Sequence, residues 1–251
     1  MWNADVYNRY GKERMQPSMD LVHRISDRRF KRILDVGCGT GMSTASIAAV
    51  WKDSEIIGAD LSEEMLEKAR EAMPTTTFIC RDCSKPLFEL GSFDLIFSNA
   101  FLQWIPNHEA FIRNSFEMLN EEGVFAAQIP LFDEMPASQC ILDAECVLPD
   151  SFQCSTMYQV YSAGEYYDII AKYSGDVSMW ITDYCHQMDN HTKILDFLSG
   201  TALLPYSEKL NESERRIFLN QVLHNVEKAY PCQQNGKVLF PFKRLFLVGR
   251  K

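Results

Sequence analysis

The stretch Asp35-Val36-Gly37-Cys38-Gly39-Thr40-Gly41 constrains this chain more than any other. A short apolar run, Ile33 to Val36, leads into three glycines at alternate positions, and Ser43 to Trp51 then reads as a helix. Glycines between a strand and a helix permit a tight turn and let backbone N–H groups approach a ligand closely. Many nucleotide-binding folds share such a loop, so the loop alone is weak evidence. Two details narrow it. The pattern G-x-G-x-x-G/A of dinucleotide folds wants a small residue at position 42, and this chain has Met42. Asp35 ends the strand, where a carboxylate can accept hydrogen bonds from the loop or reach a cationic ligand, and would repel a pyrophosphate. No Gly-Lys-Ser/Thr follows, which excludes a P-loop.

Around the loop, strand and helix alternate. Glu55 to Ala59 reads as a second strand ending at Asp60. Ser62 caps the next helix, with Glu63 and Glu64 in its first turn; that helix is expected to bury Met65, Leu66, Ala69 and Met73 and to stop at Pro74. Thr76 to Cys80 and Phe93 to Ser98 are the third and fourth strands. His108 to Leu119 is a helix with Phe111, Ile112, Ser115, Phe116 and Leu119 on one face. Asn120 to Gly123 reads as a turn, and Val124 to Ile129 as the fifth strand. Short, continuously apolar strands between helices predict a parallel sheet covered on both faces, wound by right-handed crossovers.

The ends of the chain are less regular. Tyr7, Tyr10 and Arg14 lie at helix spacing, and Pro17 is placed to open a second helix carrying Leu21, Val22 and Ile25. Residues 131–161 look irregular, with a helix near Ile141 and Leu142. Ser162 with Glu165 is a capping box for a helix through Tyr173, and Asn211 with Glu214 is a second one, for a helix from Glu212 to Tyr230. Between them lie a strand, Val177 to Met188, and a helix, His191 to Ser199. The last strand, Lys237 to Arg250, contains Pro241, which puts its first half at a sheet edge or bulge. The expectation is an α/β fold: a doubly wound, seven-stranded, mostly parallel, Rossmann-like sheet with a helical cap from insertions after the fifth strand. It is read as one domain over residues 1–251. Within it, 1–30 is an N-terminal helical lid, 31–130 a cofactor-binding core, 131–236 mixed core and cap, and 237–251 the final strand.

Composition bears mainly on partners. The chain carries a formal charge of −9, and an acidic surface repels phosphate backbones, so no nucleic-acid partner is expected. The basic segment Arg28, Arg29, Lys31 and Arg32 reads as a solvated lead-in to the first strand. No apolar run is long enough for a bilayer, and Met1 to Asp5 lacks a secretory n-region, so no membrane association is expected. The eight cysteines are irregularly spaced and Cys38 lies in the glycine loop, which suits a reduced, cytoplasmic protein. Cys80 and Cys83 form a lone C-x-x-C with no second pair, so no metal site is expected.

Candidate site residues follow the strand ends. Asp60 is placed to take two ribose hydroxyls, or is only a strand-end residue. Asp82 can accept from an adenine amino group, or serve a turn. Asn99, Gln103 and Trp104 follow the fourth strand, where a cofactor and a substrate would meet; Trp104 can equally cap the core. Ile33 to Gly41 looks like motif I of class I S-adenosylmethionine-dependent methyltransferases. More narrowly, the chain resembles the trans-aconitate 2-methyltransferase family over nearly its whole length. The resemblance rests on Trp2-Asn3 with Tyr7, Glu13-Arg14 and Pro17, Asn99-Ala100 with Leu102-Gln103-Trp104, Tyr166-Tyr167-Asp168, His186-Gln187-Met188 with His191, and Arg244-Leu245-Phe246.

The resemblance implies S-adenosyl-L-methionine as cofactor, a cationic sulfonium of the kind Asp35 can face. It implies that Asp60 holds the ribose, Asp82 contacts adenine, and Gly37, Cys38, Gly39 and Gly41 lie against the methionine part. Leu61, Met65, Cys83, Asn99, Gln103, Trp104 and Tyr7 complete the expected cofactor set. The implied reaction is methyl transfer to a carboxylate of a small acid. Such a group, with a pKa near ~4, is already ionised at neutral pH, so no catalytic base is named. The expected substrate residues are Arg14, Trp104, His186 and Arg244; arginines bind carboxylates bidentately. His186 would act as a base only for an amine or hydroxyl acceptor. One position departs from the family: its Gly-Leu-Arg-Pro stands here as Ala202-Leu203-Leu204-Pro205. If that arginine grips a carboxylate, its loss changes the substrate. Three alternatives stay open: a different small O or N acceptor, a non-catalytic cofactor-binding regulator, and an NAD-type oxidoreductase, which Met42 and Asp35 argue against. Asn99 is followed by Ala100 and Phe101, so the Asn/Asp-Pro-Pro-Tyr/Phe motif of nucleic-acid amino methylation is absent. A monomer or weak homodimer is expected.

Overall fold

The computed structural model describes residues 11–149, 152 and 160–251. Seven strands form one mixed sheet in the order β3-β2-β1-β4-β5-β7-β6. They are β1 (Arg32–Val36), β2 (Glu55–Asp60), β3 (Thr77–Cys80), β4 (Phe93–Asn99), β5 (Leu119–Pro130), β6 (Asp176–Met188) and β7 (Val238–Arg250). The first five pair in parallel. The order reverses between β1 and β4, and the crevice at the carboxyl ends of such a pair is where α/β sheets bind ligands. β7 runs antiparallel to β5: Leu131 N–H donates to the Lys243 carbonyl, and Lys251 N–H to the Gly123 carbonyl.

The helices are α1 (Gly11–Arg24), α2 (Met42–Val50), α3 (Glu63–Ala72), α4 (His108–Met118), α5 (Pro136–Ala144), α6 (Ala163–Ile170), α7 (His191–Ser199), α8 (Leu204–Lys209) and α9 (Glu212–Ala229). Their starts follow local chemistry. Ser62 Oγ accepts from Met65 N–H, Asn107 Oδ1 from Ala110 N–H and Asn190 Oδ1 from Lys193 N–H. Both expected capping boxes form. Two compact units divide the chain. One comprises residues 12–130, 158–181 and 245–251, and holds the parallel half of the sheet. The other comprises residues 1–11, 131–157 and 182–244; in it α9 packs on α5 and α7 through Phe218, Val222 and Val226.

Several expectations need correction. Pro17 does not open a helix, because α1 runs unbroken through it. The lost backbone bond is offset by burial of Leu21 and Val22 on the same helix and of Ile25 just past its end. Met65 and Met73 are half-buried rather than core, since Leu66 and Ala69 occupy the inward face of α3. α6 ends at Ile170, short of Tyr173. Asn120 to Gly123 belongs to β5 as an irregularity. Phe93 to Leu95 of β4 faces Leu119 to Val124 of β5, and Glu122 takes a φ of +62°. The basic lead-in is bonded rather than merely solvated. Arg32 donates to Glu55, Leu90 O and Ser92 O, and Arg28 to Glu122 O.

Candidate functional site

Strand register decides which side chains share a face. Asp35 pairs with Gly58 and with Phe97, Phe97 pairs with Ala126, and Asn99 pairs with Gln128. Side chains two residues apart along a strand point the same way. Asp35, Asp60, Asn99 and Gln128 therefore project from one face at the carboxyl ends of β1, β2, β4 and β5. The glycine loop leaves β1 at this end. Gly37, Gly39 and Gly41 have φ of +71°, +54° and +84°, a region that L side chains rarely adopt. A Cβ on Gly37 would stand 2.4 Å from the ring of Phe101, so this glycine also makes room for the loop after β4.

The loop is held by Asp60. Asp60 Oδ2 accepts from Gly39 N–H at 2.9 Å, and Oδ1 from Ser62 N–H at 2.9 Å. Gly37 and Cys38 N–H donate to the Ala59 carbonyl. Asp35, expected to bond the loop, instead turns to α2. Its Oδ2 accepts from Ser43 Oγ at 2.7 Å and Thr44 Oγ1 at 2.6 Å, and its Oδ1 is buried without a partner. Burial pushes the Asp35 carboxyl up to about 6, against those two hydroxyl bonds. Asn99 Oδ1 and Gln103 Oε1 are likewise buried without a donor, and the Gln103 amide donates to the Ala100 carbonyl at 2.7 Å. The strand ends thus present acceptors that lack donors: one oxygen each of Asp35, Asn99 and Gln103.

The remaining expected residues divide. Leu61 is exposed beside Asp60, and Met65 Sδ lies 3.4 Å from where a Cβ on Gly39 would stand. Asp82 closes a turn, accepting from Ser84 N–H and Oγ and pairing with Lys85; the Ser84 hydroxyl is the first cause holding its carboxyl below the usual range. The Cys38 and Cys83 thiols are buried, and desolvation raises both, Cys83 to about 12. Cys83 lines a small cavity with Leu34, Val36, Ile96 and Phe111, where Leu34 and Ile96 belong to the opposite face of the sheet from Asp35. Trp104 is half-buried in a short 3-10 turn, Leu102–Trp104. Arg14 is buried in the unit that carries the loop. His186 and Arg244 belong to the other unit, where His186 packs against Phe197 and the Arg244 guanidinium lies 4.4 Å over the Phe242 ring. Leu204 is the half-buried first residue of α8. Tyr7 lies outside the described residues. Among the described residues no cluster of His, Cys, Asp and Glu is placed to hold a metal, and no helix is long and apolar enough to cross a membrane.

Three features went unread in the sequence. Ala100 has a φ of +54°, uncommon for a non-glycine residue and found at strained functional loops. Gln128 is fully buried opposite Asn99; the signal was one polar residue in the apolar run Val124 to Ile129. His108 and Tyr166 are both fully buried and hydrogen-bonded at 2.7 Å, a pairing 58 residues apart that no local pattern carries.

A family model described as a methyltransferase domain matches residues 33–123. The chain is 35% identical over 250 residues to the trans-aconitate 2-methyltransferase of Escherichia coli O139:H28, covering all of this chain and 98% of that protein. It is 36% identical over 250 residues to that of Enterobacter sp. strain 638, with the same coverage. Among solved structures it resembles the YcgJ protein of Bacillus subtilis, with a TM-score of 0.62 and 15% identity, over 94% of this chain and 98% of that one. It also resembles an O-methyltransferase from a Brevibacillus brevis polyketide synthase in complex with S-adenosyl-L-homocysteine. There the TM-score is 0.55 and the identity 16%, over 95% and 72% of the two chains.

Proposed function

The chain belongs to the family of the trans-aconitate 2-methyltransferases, within the S-adenosylmethionine-dependent methyltransferases, and on that premise we propose that it methylates a carboxylate of a small organic acid such as trans-aconitate. The carrying observation is the set of unpartnered acceptors at the strand ends. Buried Asp35 Oδ1, Asn99 Oδ1 and Gln103 Oε1 call for a ligand rich in hydrogen-bond donors and positive charge. S-adenosyl-L-methionine fits that demand and, when bound, supplies an electrophilic methyl group on a positively charged sulfur.

The chain's own residues would divide the work. Gly37, Cys38, Gly39 and Gly41 offer backbone to the methionine part, and Asp60 keeps lone pairs for the ribose beyond those given to Gly39 and Ser62. Leu61 and Met65 follow Asp60, Asp82 serves the adenine end, and Asn99, Gln103 and Trp104 complete the enclosure. Asp35 braces the site from α2 and counters the cationic charge. The acceptor carboxylate arrives ionised, so catalysis reduces to alignment and exclusion of water, without a general base. Arg14 and Arg244 are the cations offered to its carboxylates, and Trp104 and His186 are the other proposed substrate residues. A chain of net charge −9 requires such local cations to hold an anionic substrate. A monomer or weak homodimer in a reduced cytoplasm, acting on neither nucleic acid nor membrane, completes the reading.

One observation favours a second acceptor. Leu204 puts an apolar side chain at the start of α8, where the family resemblance leads one to expect an arginine. A less anionic acid than trans-aconitate would then be preferred. The test is calorimetric titration with S-adenosyl-L-homocysteine, followed by a methyl-transfer screen of small carboxylic acids including trans-aconitate. Binding with methyl ester formation is expected, and the acid turned over names the acceptor. Binding with no transfer to any acid would overturn the proposed reaction, and absence of binding would overturn the cofactor site.

A further inference from the structure

His108 opens α4, just past the loop that carries Gln103 and Trp104. Its ring is fully buried against two tyrosines. Tyr166 lies nearly parallel to it, at 12° and 5.7 Å between centroids, with the hydroxyl 2.7 Å from His108 Nδ1. Tyr161 lies 4.7 Å away on the same imidazole. The backbone N–H of Tyr161 donates to the same Tyr166 hydroxyl at 3.4 Å, so one oxygen on α6 joins the imidazole to the chain that precedes the helix. Burial holds the imidazole below its usual pKa, opposed by the backbone of Ile105 and Leu102.

The loop is tied on its other sides as well. Phe101 fills the space above Gly37, Ala100 N–H donates to the Gln128 carbonyl at 2.9 Å, and Gln103 closes on Ala100. Ala100 sits at a positive φ, a strained conformation for a residue with a side chain, which persists only where the surroundings hold it. The hydrogen bond from α6 to His108 is the tie farthest along the chain from the glycine loop, and it joins the loop to a helix that touches no expected cofactor residue in any bond described above.

We propose that His108 and Tyr166 are a positioning pair: Tyr166, acting through His108, holds residues 100–105 in the conformation that presents Asn99, Gln103 and Trp104 for methyl transfer. The inference rests on the methyltransferase reading given above. Neither residue touches the reacting atoms. Their loss would let the loop relax from the strained Ala100 conformation and spoil alignment, while Asp60 continues to hold the glycine loop. Misplacement by about 1 Å costs on the order of a hundredfold in rate.

The test uses the full chain. Tyr166→Phe removes only the hydroxyl, and His108→Gln keeps a side chain that can bond Tyr166. Deuterium exchange is read on peptides covering residues 100–105 and 37–66 in the presence of S-adenosyl-L-homocysteine, together with its Kd by calorimetry and kcat with trans-aconitate. Tyr166→Phe is expected to deprotect 100–105 selectively, to weaken Kd by only a few-fold, and to lower kcat roughly ten- to a hundredfold, while His108→Gln, which can still bond Tyr166, loses less kcat than Tyr166→Phe. Unchanged exchange in 100–105, or an equal loss of cofactor affinity, would overturn the pairing. If Tyr166→Phe does not fold, His108→Gln against His108→Phe carries the same comparison, and equal behaviour of those two overturns it. If the wild-type protein is inactive on trans-aconitate, kcat is read on the acid that the screen turns over; if it methylates no acid, the proposed reaction fails while the exchange measurement still decides on the pair.

Discussion

Asp60 spends both carboxylate oxygens on backbone, one on Gly39 and one on Ser62, and so fixes the glycine loop to the start of α3. A hydrogen bond to a charged group contributes about 1.5–3 kcal/mol. Asp60→Ala should therefore weaken S-adenosyl-L-homocysteine binding by tenfold or more in calorimetry; an unchanged Kd would remove Asp60 from the site. Asp35 plays a different part, because Ser43 and Thr44 claim one of its oxygens and burial desolvates the group. Its carboxyl is raised from 3.8 to about 6 in the folded chain. A raised folded-state value means that the group's contribution to stability is full below about pH 4 and is lost as pH rises through 6. The shortfall at pH 7 is roughly 3 kcal/mol. Denaturant unfolding of wild type and Asp35→Asn at pH 4 and pH 7 should show that wild type loses more stability over this range, by roughly that amount. Parallel pH profiles would contradict it. Asp35 and Asp60 were both legible as acids at the ends of short apolar strands. Which one holds the loop was not, because that depends on how α2 and the loop pack above the sheet.

Elements whose limits are set by neighbouring residues are those a sequence can declare. Asn211 and Glu214 cap α9 reciprocally, as do Ser162 and Glu165 for α6, because the four first N–H groups of a helix need partners within a few residues. Asn211→Ala is expected to cost about 1 kcal/mol, read as a lowered midpoint in thermal or denaturant unfolding, with S-adenosyl-L-homocysteine affinity unaltered. No change in midpoint would mean that packing of Phe218, Val222 and Val226 alone holds the helix. Prolines were harder. Pro17 stays inside α1 because the core outweighs one missing backbone bond. Pro241 was expected at an edge, and β7 lies between β5 and β6 in the sheet. The β5 register carries Leu131 opposite Lys243, so Pro241 falls beyond the end of β5 at Pro130, and that stretch of β7 is an edge on the β5 side. The local rule held, and strand lengths decided where it applied.

At the scale of the whole chain, the expected substrate cations come from separate units, Arg14 from one and Arg244 from the other. Each is buried, and arginine presents a planar fork of donors suited to carboxylates. Arg244→Ala should raise the KM for trans-aconitate by tenfold or more and leave the S-adenosyl-L-homocysteine Kd within about twofold. Loss of both affinities together would make Arg244 a structural residue. The sequence by itself determined the alternation of strands and helices, the glycine loop and the acidic strand ends, because periodicity, turn residues and caps act over a few positions. It also carried the family, since segments from Trp2 to Phe246 bear the resemblance. Only the tertiary structure decided that Asp35 faces α2, that Gln128 stands opposite Asn99, that Phe101 covers Gly37, and that His108 meets Tyr166. Apart from Asp35 with Ser43 and Thr44, those are contacts between residues far apart in the chain. Their partners are selected by sheet register and by the filling of space, which no single stretch of residues encodes.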